Sequence, residues 1–389
     1  MLSGDRPKHL LALVSCAGIL ALLSFALWPV FLTELGQEWG LTNTDIGWIS
    51  GAYFFGYLMA TPVLVGLTDR VDARLVFLGG CAFSSVGCFL FATNAVNFWS
   101  AAMAWMLVGA GLAGTYMPGL QILNARLDDS ARVRAVPWYT ACFGIGTGGS
   151  FAVMGIVLAN ADYRLAALIG SGGAFIAAFL VLFFVQPHAA QSFSETQKKR
   201  HPLDLRPAFQ KPVALGYIFA YGAHTYELFA YRTWSFALLI FLVGQADTPL
   251  GIGAVTTIVS LITVTGLLAS LIGAHICLAY GRHRILTLIG AAAVGMSCFA
   301  AFSLDGPIWF AIAGLWIYNA FIMLDSGALT TGTVEAGDSH DRGALLAVHS
   351  MIGFGGGALG GPVVGYVLDL TGGVGTIDAW FYAVLAMGT

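Results

Sequence analysis

Long apolar runs alternate with short polar breaks along the whole chain. The runs cover residues 10–32, 46–66, 75–94, 98–123, 137–159, 165–186, 212–243, 253–279, 286–304, 307–329, 344–368 and 379 onward. A helix needs about 20 apolar residues to cross a bilayer, and most of the runs reach that length. The last run stops at Thr389 after eleven residues, so the sequence is expected to end inside its final helix. The pattern predicts an all-α polytopic membrane protein with about 12 transmembrane helices.

Composition agrees. The 389 residues are 58% hydrophobic and 10% charged, with a mean hydropathy of +0.81. Soluble domains carry about 25% charged residues, so lipid is the expected solvent. Fifty glycines suit closely packed membrane helices. Cys16, Cys81, Cys88, Cys142, Cys277 and Cys298 all lie inside apolar runs without C-x-x-C spacing. They are read as packing residues, with neither disulfides nor a metal site. The first run is too long for a signal-peptide core and is expected to stay as a helix.

The position of the charges says more than their sum. With the N-terminus placed in the cytoplasm, 15 of the 17 basic residues fall in breaks on that side. Arg164 lies on the other side, and Arg232 lies inside an apolar run. This asymmetry obeys the positive-inside rule and puts both ends of an even-numbered bundle inside. The longest break, 187–211, is basic and proline-punctuated. It reads as a cytoplasmic linker between two six-helix halves, residues 1–186 and 212–389, and not as a nucleic-acid patch.

An internal repeat supports the two halves. At an offset of 209, Asp129 and Ser130 match Asp338 and Ser339, while Gly144, Gly146 and Gly148 match Gly353, Gly355 and Gly357. A spacing of six helices keeps equivalent helices parallel.

Here the chain resembles the major facilitator superfamily. That family's loop between helices 2 and 3 reads G-x-L-x-D-R-x-G-R-R. This chain has "VGLTDRVDAR", which keeps Leu67, Asp69, Arg70 and Arg74 but places Val65, Asp72 and Ala73 at family positions. In the second half "AYGRHR" keeps Gly281, Arg282 and Arg284, and "GFGGGALGGPVVGYVLD" is similar to the family's helix 11. Two stretches depart from the pattern of proton-driven exporters. "WMLVGAG" has Trp105 where R-x-x-x-G-x-G has arginine, and "GIGTGGSFAVMG" lacks the helix 5 proline. The resemblance implies a bacterial-type inner-membrane carrier, a monomer, working by alternating access. It also implies a conformational latch on the cytoplasmic face from Asp69, Arg70, Arg74 and Arg132. A plain topology signal is the alternative reading of those charges.

The resemblance places helices 1, 4, 7 and 10 around a central cavity, which gives meaning to "AHTYELFAYR" in the seventh run. A charge at the bilayer centre costs roughly 2.5–3.5 kcal/mol on insertion scales, and such residues usually mark a pathway. His224, Glu227 and Tyr231 share one helical face, whereas Arg232 lies about 140° round from Glu227. Arg232 is read as a substrate-anion contact or a structural charge. Glu227 is read as a proton or substrate site or a hydrogen-bonded buried acid. His224 is read as a supporting hydrogen-bonder. Helix 10 adds Asn319 and Asp325, and helix 11 adds His349 as a further proton site or a packing histidine. Trp28, Tyr53, Tyr57, Tyr116 and Gln121 are candidate cavity walls. No P-loop, G-x-S-x-G or H-E-x-x-H appears, so neither an enzyme nor a cofactor is expected. The function expected is proton-coupled uptake of a small organic anion such as a carboxylate, Arg232 meeting the anion and Glu227 carrying the proton. The alternatives are export of a cationic or amphipathic compound through Glu227 and Asp325, or a transporter-like receptor.

Overall fold

The computed structural model describes residues 6–68, 70–188, 205–246, 250–338 and 342–388. Every element among them is helical. In chain order they are α1 (Arg6–Ala21), α2 (Leu27–Glu38), α3 (Asn43–Leu67), α4 (Ala73–Asn94), α5 (Phe98–Arg126), α6 (Asp129–Asn160) and α7 (Tyr163–Phe184). There follow α8 (Arg206–Phe209), α9 (Pro212–Gln245), α10 (Ile252–Tyr280), α11 (Arg282–Ser303), α12 (Ile308–Met323), α13 (Ser326–Glu335), α14 (Arg342–Thr371) and α15 (Ile377–Met387). Ten helical stretches among the described residues are long and apolar enough to span a membrane.

Two of the predicted runs are interrupted. The first run divides into α1 and α2 at residues 22–26, where i→i−3 bonds such as Leu23 N to Leu20 O replace the α-helical pattern. Ser150 of α6 repairs the gap, because its hydroxyl donates to the Leu23 carbonyl at 2.6 Å and accepts from the Ala26 amide at 2.9 Å. In lipid such a break survives only where a neighbour satisfies the freed backbone groups. The tenth run divides into α12 and α13 around Leu324 and Asp325. There the Leu324 carbonyl sits on Gly273 of α10, where a Cβ would collide with it.

The chain forms two compact units. The first contains Met1–Leu27 and Phe55–Pro202. Its α4–α5 seam is built from small residues: Gly80 faces Gly114, and Gly111 faces Ser84. Backbones approach closely enough that a methyl group at either glycine would meet main chain.

The second unit contains Trp28–Phe54 and Leu203–Thr389. The glycine run of α14 explains its packing. Gly356 and Gly360 lie against the α9 backbone at Gly222 and Tyr226, while Gly361 and Gly365 lie against α3 at Gly47 and Asn43. One glycine-rich helix therefore receives α9 on one side and the start of α3 on another. Cross-helix hydrogen bonds fix the register. Trp234 Nε1 donates to the Gly361 carbonyl at 3.0 Å, and the Ser50 and Thr233 hydroxyls meet at 2.7 Å.

Candidate functional site

The polar face of α9 is packed against the interrupted tenth helix. His224 Nδ1 lies 2.7 Å from Asp325 Oδ1. The His224 side chain is 2% exposed and that of Asp325 is 20% exposed, so the carboxylate is the wetter member. One turn along, the Glu227 carboxyl faces the Tyr318 hydroxyl of α12. Tyr231 donates to the Leu315 carbonyl at 3.0 Å and meets the Tyr318 ring edge-on. The face drawn by His224, Glu227 and Tyr231 is thus matched by Asp325, Tyr318 and Leu315 on the facing helix. Asp325 takes His224 as its partner.

A second histidine stands beside the first. His349 of α14 has Nδ1 3.1 Å from Thr333 Oγ1 and Nε2 3.3 Å from Thr330 Oγ1, both on α13. Tyr221 of α9 stacks with His349 at 3.8 Å and with His224 at 5.6 Å between ring centroids. Sequence spacing pointed to His224 and His349 separately; Tyr221 and the two threonines that join the cluster emerge only when α9, α13 and α14 are brought together. Tyr318 lies seven positions before Asp325, two turns along one face, and helical phase alone would have found it.

Arg232 sits elsewhere on α9. It is 5% exposed, with its guanidinium carbon 6.0 Å from the Phe229 ring centroid. Its Nε and Nη1 have no hydrogen-bond partner among the described residues. Phe229, Phe54 and Phe354 form an aromatic cluster one turn away, with Phe54 and Phe229 centroids 4.0 Å apart.

The other sequence candidates have mixed surroundings. Asn319 points at α10 and donates to the Ile262 carbonyl at 3.0 Å. Trp28 is fully buried, stacks on Trp39 and donates to the Ile46 carbonyl. Tyr53 is buried against Phe54, and Tyr57 is buried as well. Tyr116 stacks on Tyr139 and meets the Phe143 ring edge-on within the first unit, and Gln121 is exposed.

In the proposed latch, Asp69 lies outside the described residues and Arg70 is exposed. Arg74 donates to the Leu182 carbonyl at 2.6 Å, and Arg132 donates to the Leu127 carbonyl at 3.1 Å. An ion pair there joins Asp72, which occupies a family glycine position, to Arg126 at 2.8 Å. Burial by itself would raise the Asp72 carboxyl, but bonds from Arg126 and from the His188 and Arg74 amides outweigh it and hold the group below the usual carboxylate range.

A cavity of about 640 Å³ reaches His224, Glu227 and Asp325 from between α9, α11, α13 and α15. Met387 and Gly388 form part of its wall.

An all-helical membrane bundle with an acid–histidine cluster and a buried arginine between its helices has the make-up of a polytopic membrane transporter. Residues 13–361 match the Major Facilitator Superfamily, and the chain belongs to that family of membrane transporters. It is 24% identical over 319 residues to the probable sphingolipid transporter spinster homolog 1 of Arabidopsis thaliana, covering 69% of this chain and 61% of that protein. It is 25% identical over 207 residues to the quinolone resistance protein NorA of Staphylococcus aureus, covering 51% of this chain and 50% of that one. The niacin transporter NiaP of Acinetobacter baylyi is 26% identical over 144 residues, covering 36% of this chain and 31% of its own. The chain thus spans between 31% and 61% of the length of these curated relatives. Among solved structures, an inward-facing, unoccupied bacterial homolog of the human lysosomal transporter Spinster superposes with a TM-score of 0.77 at 13% identity, over 95% of this chain and 84% of that one. The nucleoside transporter NupG gives 0.74 at 17% identity, over 97% and 95%.

Proposed function

We propose that the protein is a secondary carrier that takes up a small organic anion together with protons by alternating access. It would work as a monomer in the plasma membrane, with its N-terminus in the cytoplasm and two six-helix halves joined through residues 187–211. The observation that carries this reading is Arg232. A buried guanidinium with two nitrogens lacking a partner is costly, and an anion entering beside it would supply both the charge and the acceptors. Glu227 serves as the proton carrier. It is half-buried beside a hydroxyl and within electrostatic reach of His224 and Asp325, so a change in its charge is felt by the whole cluster.

The test is ligand-induced thermal stabilisation of purified protein across a panel of carboxylates and organic cations. Stabilisation by a carboxylate that is lost in Arg232→Ala supports the reading. A second reading, export of a cationic compound, is favoured by two carboxylates, Glu227 and Asp325, meeting one cavity, and by the likeness to a quinolone resistance protein. Stabilisation by cations alone, lost in Glu227→Gln or Asp325→Asn, would select it.

A further inference from the structure

Asp325 stands immediately before α13, in the position from which aspartate ordinarily caps a helix. There its carboxylate would accept from an amide of the first turn. It makes no such bond. Its backbone is in the right-handed helical region, φ −93° and ψ −19°, whereas a capping residue usually has extended dihedrals. The carboxylate is turned across to His224 on α9 instead. The first amides of α13 are left without their side-chain cap while their best acceptor is engaged elsewhere.

These facts define two exclusive uses for one carboxylate. It either clasps His224 or caps α13. The change between them is not only a rotamer change, because capping requires Asp325 to leave the helical region, and that turns α13 relative to α12. The break can bend there: the Leu324 amide bonds to the Phe321 carbonyl in an i→i−3 turn. α13 is held at a second point by Thr330 and Thr333 on His349.

We propose that Asp325 is a two-position switch that converts the protonation state of the α9 cluster into movement of α13. This deepens the coupling role given to Glu227 and rests on it for the source of the proton. Charged histidine holds Asp325 in the clasp. Loss of the charge on either partner releases the clasp; an Asp325 freed as a carboxylate returns to cap its own helix. The groups facing the pair are known on each packed element. α9 brings Tyr221 and Glu227, with the charge of Arg232 also reaching His224. α10 brings Cys277 and α12 brings Tyr318. α11 brings His283 to the cavity and Arg282, which is paired at 2.8 Å with Glu335 of α13. α14 brings His349. Arg282–Glu335 is a far anchor about which α13 can pivot.

The experiment follows α13 directly and needs no substrate. Thr331 is exposed on α13, and its hydroxyl bonds only within its own helix, to Gly327. Thr331→Cys in the full chain, reconstituted in vesicles, is labelled with a maleimide at pH values from about 5 to about 8, where histidine titrates. Labelling at residue 331 is read by peptide mass spectrometry and corrected with a free thiol at each pH. The expected result is a rate that changes severalfold with pH, and that becomes flat in both Asp325→Asn and His224→Gln while Asp325→Glu keeps part of the response. A rate independent of pH in the parent, or an unchanged response in either neutral variant, overturns the proposal. If Asp325→Asn fails to fold, His224→Gln carries the decision. Because no anion is added, loss of the anion reading leaves this result standing. A switch that fails here leaves anion binding at Arg232 untouched.

Discussion

One nitrogen of Arg126, Nη2, donates to both carboxylate oxygens of Asp72, at 2.8 and 2.9 Å, and so ties the end of α5 to the start of α4. The same arginine donates to the Gln186 carbonyl beyond α7, and Asp72 accepts from the His188 amide. Three helices of the first unit are fastened at one end by this pair, each partner being only 10% exposed.

Asp72→Asn should therefore lower stability by about 1.5–3 kcal/mol, the range for hydrogen bonds to charged groups. The pH dependence has a definite sign. Asp72 is held below its ordinary value of 3.8 in the folded protein. Its contribution is thus fully present above that value and is lost as pH falls through the lower folded value. Melting temperature in detergent should differ between wild type and Asp72→Asn at neutral pH, and the gap should narrow in acid. An equal gap at both ends would remove the carboxylate from the account.

Asp369, near the end of α14, accepts from the Asn43 and Thr44 amides and from both of their side chains, at 2.6–2.9 Å. Four bonds on one carboxylate hold the start of α3 against α14, about two turns along α3 from the buried Ser50–Thr233 contact. Asp369→Ala should loosen that seam, and Ser50→Cys should then react severalfold faster with an impermeant thiol reagent. Identical rates with and without Asp369 would show that the glycine packing holds the seam alone.

Arginine and lysine should separate at position 232. A guanidinium offers a carboxylate two parallel hydrogen bonds, which an ammonium does not reproduce. Arg232→Lys should weaken binding of a stabilising carboxylate about tenfold, the equivalent of one charge-assisted hydrogen bond, and Arg232→Ala about a hundredfold. Isothermal titration gives both constants. Equal affinities for wild type and a folded Arg232→Ala protein would make the arginine a structural charge.

Glu227→Gln imitates a permanently protonated carrier. Such a carrier can still change face when loaded but cannot release its proton and return empty. Uptake driven by an imposed pH gradient should collapse in vesicles while exchange of internal for external substrate survives. Concentrative uptake by Glu227→Gln would move the coupling role to Asp325 or His349.

The sequence alone determined the solvent, the all-helical class with its many membrane-length apolar runs, and the polar face of α9. Each of these depends on local composition or on the 3.6-residue period. Apolar length reports the bilayer, and the spacing of His224, Glu227 and Tyr231 reports a face whatever lies opposite. The glycine run of α14 was visible as a motif, and its use in receiving α9 and α3 follows from the absence of side chains. The tertiary structure decided the partners. Asp325 meets His224, which lies 101 positions away in the chain, and Asp369 meets Asn43 across 326. Such pairings depend on how rigid helices are rotated and slid against one another, and neither quantity is encoded within a single helix. The interruptions at residues 22–26 and 324–325 belong with the pairings. Both stretches read as continuous apolar helix, and the breaks persist because Ser150 and Gly273 on other helices accommodate the displaced backbone.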